Sequence, residues 1–210
     1  MISNMKRYGW LILSALVALV MCGCSRQGPS RLSLEEKALI TRSDLLMRVL
    51  SIDNREDSLV LRAKSVDFAD EDLCSDEFRA LAAKMLYTVQ DPSQDGVGIA
   101  GPQVGLNRRV VAVQRFDKEG EPFEVYPNIR IEAMSGEVVP GREGCLSVPG
   151  MRGSVPRYTT VAISYKDPGT LETVRDTVEG FTAVIFQHET DHLDGILYID
   201  RADSLWKQDR

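Results

Sequence analysis

The chain's only two histidines, His188 and His192, stand four residues apart in Gln187-His188-Glu189-Thr190-Asp191-His192. That H-E-x-x-H spacing constrains the fold more than any other feature. On an α-helix, positions i and i+4 share one face, one turn apart, so both imidazoles can grip one ion. The segment is therefore expected to be helical and to carry one divalent metal. Glu189, beside the first histidine, is placed to take a proton from a water at that metal. Packing gives no reason to spend every histidine on this spacing.

A catalytic metal ordinarily takes three protein ligands and keeps a position for water. The 18 residues after His192 hold no histidine, and their only carboxylates are Asp194, Asp200, Asp203 and Asp209. That tail is too short for a helix returning a downstream glutamate, so the third ligand is expected upstream. Cys145, in Arg142-Glu143-Gly144-Cys145-Leu146-Ser147, is the best candidate. Its thiolate is a strong ligand for Fe(II) or Zn(II). The competing reading is an inert buried cysteine.

The chain divides into a leader and a body. Lys6 and Arg7 precede an apolar run from Trp10 to Met21, interrupted only by Ser14. The run is too short to span a bilayer comfortably and suits the core of a secretory signal. Met21-Cys22-Gly23-Cys24 resembles a bacterial lipoprotein processing site, so residues 1–23 are expected to be a signal peptide, with lipidation at Cys24. The body would then be exported and lipid-anchored. A cytoplasmic product starting near Met47 is the alternative. Residues 24–46 read as a tether and short helix, and 47–210 as the catalytic domain. Without the leader the body has 23 basic and 31 acidic residues, a formal charge of −8. That balance argues against nucleic acid or an anionic membrane surface as a partner, leaving the membrane to the anchor alone. At about 185 residues the body can bury one full core. Its cysteines are Cys74 and Cys145; a bridge between them competes with the ligand role of Cys145, which is preferred.

Along the body, Ser33-Leu34-Glu35-Glu36 reads as a capping box opening a short helix. Phe78, Leu81, Ala82, Met85, Leu86 and Val89 recur at helical spacing up to Asp91-Pro92. Arg109 to Gln114 reads as a buried strand. Val125–Ala133 and Gly136–Val139 are weaker strands. Thr159–Lys166 and Leu171–Val178 flank the turn Asp167-Pro168-Gly169. Phe181 to Leu193 is the histidine helix, stopped by Gly195, and Ile196–Ile199 is expected to add a short strand. The class is α+β, with antiparallel or mixed sheets packed around the C-terminal helix that carries H-E-x-x-H.

Gly96-Val97-Gly98-Ile99-Ala100-Gly101 matches a dinucleotide fingerprint by letter. Such a fingerprint needs a strand before it and a helix after it, and here the order is reversed. No nucleotide is expected. The glycines instead suit backbone lying close to a ligand.

Three segments, in order and with family-like spacing, resemble the motifs of peptide deformylase: Gly96 to Gln103, Glu143-Gly144-Cys145-Leu146-Ser147, and Gln187 to His192. The likeness runs from about Met47 to about Asp200. It implies that Cys145, His188 and His192 hold the metal, normally Fe(II), with Zn, Ni or Co as substitutes. Glu189 would be general base and acid. The Gln103 amide and the Leu146 backbone N–H would hold the developing oxyanion. Gly98 and Gly144 would offer backbone groups to an extended peptide, while Val97, Val184 and Ile185 would line a methionine pocket. Glu143 and Arg157 would pair behind the metal. The implied substrates are N-formyl-methionyl peptides and the implied enzyme a monomer. An amidase of different acyl specificity, or a non-catalytic lipoprotein with a remnant site, are the competing readings.

Overall fold

A computed structural model describes residues 28–94 and 96–208. The leader, Cys24 and the first part of the tether lie outside the described residues. Among those described, no helix is long and apolar enough to cross a membrane.

Four helices precede the sheets: α1 (Leu34–Ile40), α2 (Arg55–Leu61), α3 (Asp70–Leu73) and α4 (Asp76–Val89). The Ser33 box caps α1 as its sequence demands: Ser33 Oγ accepts the Glu36 N–H, and the Glu36 carboxylate accepts the Ser33 N–H. Ser75 caps α4, and its apolar stripe buries Phe78, Leu81, Met85 and Val89.

Two antiparallel sheets follow. The first orders β1 (Gly98–Ala100), β2 (Val110–Gln114) and β3 (Phe123–Pro127) side by side. In the second, β4 (Arg130–Cys145) pairs with β5 (Val148–Lys166), and β5 also pairs with β6 (Thr173–Glu179) and β7 (Ser204–Lys207). The weak strand signals around 125–139 thus become β3 and one long β4. Bulges in the β4–β5 register explain why its alternation is hard to read. Helix α5 (Gly180–Leu193) packs on both sheets and is buried almost all round. Gly195, at φ +74°, ends it.

Strand β2 sets the layering. Val110 and Ala112 face a core shared with α1 and α4, while Val111 and Val113 face a second core shared with α5. A strand buried on both faces needs an unbroken apolar run, which Val110-Val111-Ala112-Val113 supplies.

Two expectations change. Ile196–Ile199 is not a strand; a 3-10 turn, Tyr198–Asp200, stands there. The Asp200 carboxylate accepts the Leu197 N–H at 2.8 Å and also pairs with Arg62, which winds the chain into a turn. The described end of the tether is also not free. Ser30 bridges Phe68, and Arg108 donates to the Ser30 and Arg31 carbonyls and, through two bonds, to Glu36. Leu32 and Ile40 are buried in the first core, each worth about 1.5–3 kcal/mol.

Candidate active site

The site forms where the tip of the β4–β5 hairpin meets α5. Cys145 is the last residue of β4, and Cys145 and Val148 close a two-residue turn, Leu146-Ser147. The turn points the thiol at α5. Cys145 Sγ lies 3.2 Å from His192 Nε2. One donor atom from each of Cys145, His188 and His192 falls within 4.8 Å of the others. Cys74 and Cys145 are both free thiols.

The donor set fits a divalent cation. His188 Nδ1 is held by Glu143 Oε2 at 2.8 Å, leaving Nε2 to face the cage. Behind it, Arg157 clasps Glu143 through Nε at 2.8 Å and Nη2 at 3.1 Å, and reaches Asp191 at 2.6 Å. Asp191 is also gripped by Arg201. Burial works to raise the Glu143 pKa, but the bonds from His188 and Arg157 prevail and hold its carboxyl below the ordinary value. A fixed anion therefore stands behind the first imidazole. The Glu143–Arg157 pairing matches expectation; the extension through Asp191 to Arg201 was not foreseen, although Asp191 sits next to a ligand histidine.

Glu189 is buried and lines the same cavity as Cys145 and His188. Its Oε2 is buried and has no hydrogen-bond partner among the described residues. Burial pushes its carboxyl up to about 7, opposed by His188 and Arg157. Gly98 makes room for it: a Cβ there would stand 2.5 Å from Glu189 Oε1. The Arg152 guanidinium lies over Gly144, in the space a Cβ there would take.

Gln103 reaches the cage from the 3-10 turn after β1 (Gly101–Val104). Its Oε1 accepts the Ala100 N–H at 2.8 Å, which turns Nε2 toward Ser147 Oγ at 3.3 Å and Cys145 Sγ at 3.5 Å. Ser147 escaped the sequence reading; its N–H also donates to Cys145 Sγ at 3.4 Å.

These groups share a cavity of about 270 Å³. Val97, Gly98, Gln103, Gly144, Cys145, Leu146, Val184, Ile185, His188 and Glu189 all line it, so ten of the eleven residues expected from sequence meet there; His192 completes the cage. Arg142, Arg152 and Phe181 add to the wall. A larger cavity of about 520 Å³, between Asp67, Asn128, Arg130 and Lys166, contains none of the cage. The chemistry belongs to the smaller one.

Comparison with known proteins agrees. The family model described as polypeptide deformylase matches residues 47–208. The peptide deformylase of Leptospira biflexa serovar Patoc is 38% identical over 152 residues, covering 69% of this chain and 83% of that one. The actinonin-bound class I type b peptide deformylase from Acinetobacter baumannii aligns with a TM-score of 0.66 and 34% identity, over 76% of this chain and 100% of that one. The Met-Ala-Ser-bound form aligns with a TM-score of 0.65 and 35% identity, over 74% and 98% respectively. The chain belongs to the polypeptide deformylase family, metallohydrolases that remove a formyl group.

Proposed function

We propose that this chain hydrolyses the formyl amide at the N-terminus of N-formyl-methionyl peptides, releasing formate, with Cys145, His188 and His192 holding Fe(II). The observation that carries this reading is the juxtaposition of that donor set with the unpartnered Glu189 carboxylate in one cavity. A thiolate with two imidazoles suits iron, zinc, nickel and cobalt alike. When bound, the cation supplies Lewis-acid chemistry: it acidifies a water and polarises the formyl carbonyl.

The chain's own groups do the rest. Glu189 receives the proton of the attacking water and then delivers it to the leaving amine. The Gln103 Nε2 and the Leu146 N–H hold the oxyanion as the carbon becomes tetrahedral; one such donor is worth about 3 kcal/mol. Gly98, on the short strand β1, and Gly144, near the end of β4, offer backbone groups to an extended peptide. Val97, Val184 and Ile185 receive the methionine side chain.

Anaerobically purified protein is the test. It should carry close to one iron per chain and deformylate formyl-Met-Ala-Ser, while acetyl-Met-Ala-Ser and the unblocked peptide stay intact. Equal turnover of the acetyl peptide would favour an amidase of broader acyl range. No metal uptake from iron, nickel, cobalt or zinc would end the reading.

The same proposal takes the enzyme to be a monomer, exported and lipid-anchored at Cys24. The leader's composition and the Met21–Cys24 segment support the anchor. An exported enzyme would act on released formyl peptides rather than nascent chains. Fractionation of cells labelled with palmitate decides the location: label in a membrane-bound product supports it, an unlabelled cytoplasmic product refutes it.

A further inference from the structure

Two arginines, Arg142 and Arg152, line the cage cavity. Arg152 Nη1 donates only to the Met151 carbonyl, at 3.3 Å, and Arg142 rests its Cζ 5.9 Å from the centre of the Trp206 ring. Among the described residues neither guanidinium meets a carboxylate. Arg108, Arg109, Arg115, Arg130, Arg157 and Arg201 all do, whereas Arg42, Arg55 and Arg175 also lack such a partner but do not line this cavity. At this cavity, whose carboxylates Glu143 and Glu189 stand beside the metal donors, these two guanidiniums are open to an anion from outside.

Resting on the deformylase reading of the site, we propose that Arg142, braced by Trp206 and seconded by Arg152, binds a carboxylate of the substrate about three residues beyond the formyl group. The spacing supports this. Arg142 lies three residues before Cys145 on β4, about 10 Å by strand rise. A formyl tripeptide extended from the cage also spans about 10 Å, so its third residue arrives at Arg142. Trp206 stands opposite Arg152 in the β5–β7 register, and Arg142 stands opposite Ser154 two residues further along β5. The indole thus meets the guanidinium face from β7, on the far side of β5, and leaves its N–H edge for a two-pronged bond to a carboxylate. That carboxylate is either the free C-terminus of a short peptide or an acidic third side chain.

The test measures kcat and KM of the full, metal-loaded chain on two pairs of peptides. One pair is formyl-Met-Ala-Ser as free acid and as amide. The other is formyl-Met-Ala-Glu-amide and formyl-Met-Ala-Gln-amide. We expect a KM about tenfold lower for the anionic member of at least one pair, with kcat little changed. The pair that discriminates identifies the source of the carboxylate. Arg142→Gln should cut the preference to about threefold or less, Trp206→Leu should reduce it, and about 0.5 M salt should erode it. Equal KM within both pairs, or a preference that survives Arg142→Gln, overturns the inference alone. Absence of turnover on every peptide overturns the functional reading and the inference with it.

Discussion

His188 Nδ1 and Glu143 Oε2 stand 2.8 Å apart. The contact fixes which ring nitrogen carries the proton and which faces the cage. Glu143 is itself locked by Arg157, so the orientation of a ligand on α5 is set from β4 and β5. Glu143→Ala should weaken metal binding about 10- to 100-fold, measured by chelator competition. Affinity equal to the parent chain would show that the carboxylate does not orient the ring.

Glu189→Gln removes the proton carrier but none of the three donors. Turnover should fall at least about a thousandfold with the metal content unchanged. In the parent chain, kcat/KM should fall as pH drops, because only the carboxylate form accepts a proton. Burial pushes that group up to about 7, and a cation beside it draws the midpoint lower, so the acid limb is expected below 7. A profile flat from neutral pH down to about 5 would exclude Glu189 as the base.

Gly98→Ala places a methyl group where the Glu189 carboxylate lies. The base must move, and kcat should drop about a hundredfold while circular dichroism stays native. Normal kcat would mean that the observed position of Glu189 is not the working one.

The arm before the family domain can be probed through Arg108, the buried arginine of that domain that grips it. Arg108→Ala leaves the Ser30, Arg31 and Asp67 carbonyls and the Glu36 carboxylate without their donor, and should cost about 2–4 kcal/mol in urea unfolding. Partial burial tends to raise the Glu36 pKa; the bonds from Arg108 and Ser33 outweigh it and hold the carboxyl low. Its contribution is therefore complete above the unfolded-state value of about 4.3 and vanishes as pH falls through the lower folded-state value. Glu36→Gln should be less stable than the parent near neutrality, and the gap should close in acid. A pH-independent gap would show that the charge contributes nothing.

Local signals were readable where one force dominated. The stripe on α4, the apolar run of β2 and the capping box of α1 each follow from burial or a single cap. The cage was legible because histidine spacing and a lone body cysteine carry chemistry that packing does not explain. Other features depend on partners distant in sequence. Ser147 matters only once Gln103 folds over it, 44 residues away. Arg108 reads as one more surface charge until Ser30, Arg31 and Glu36 close around it. The turn at Tyr198–Asp200 is set by Arg62, 138 residues earlier, which no local pattern reports.

The thiol and the nearest imidazole nitrogen of the cage come from residues 47 apart, one on a hairpin tip and one on a helix that docks from the far end of the chain. No short stretch can assemble them alone. The ion can lodge tightly only after hairpin and helix have met, so metal capture should follow rather than nucleate structure formation and act as a reporter that folding is complete.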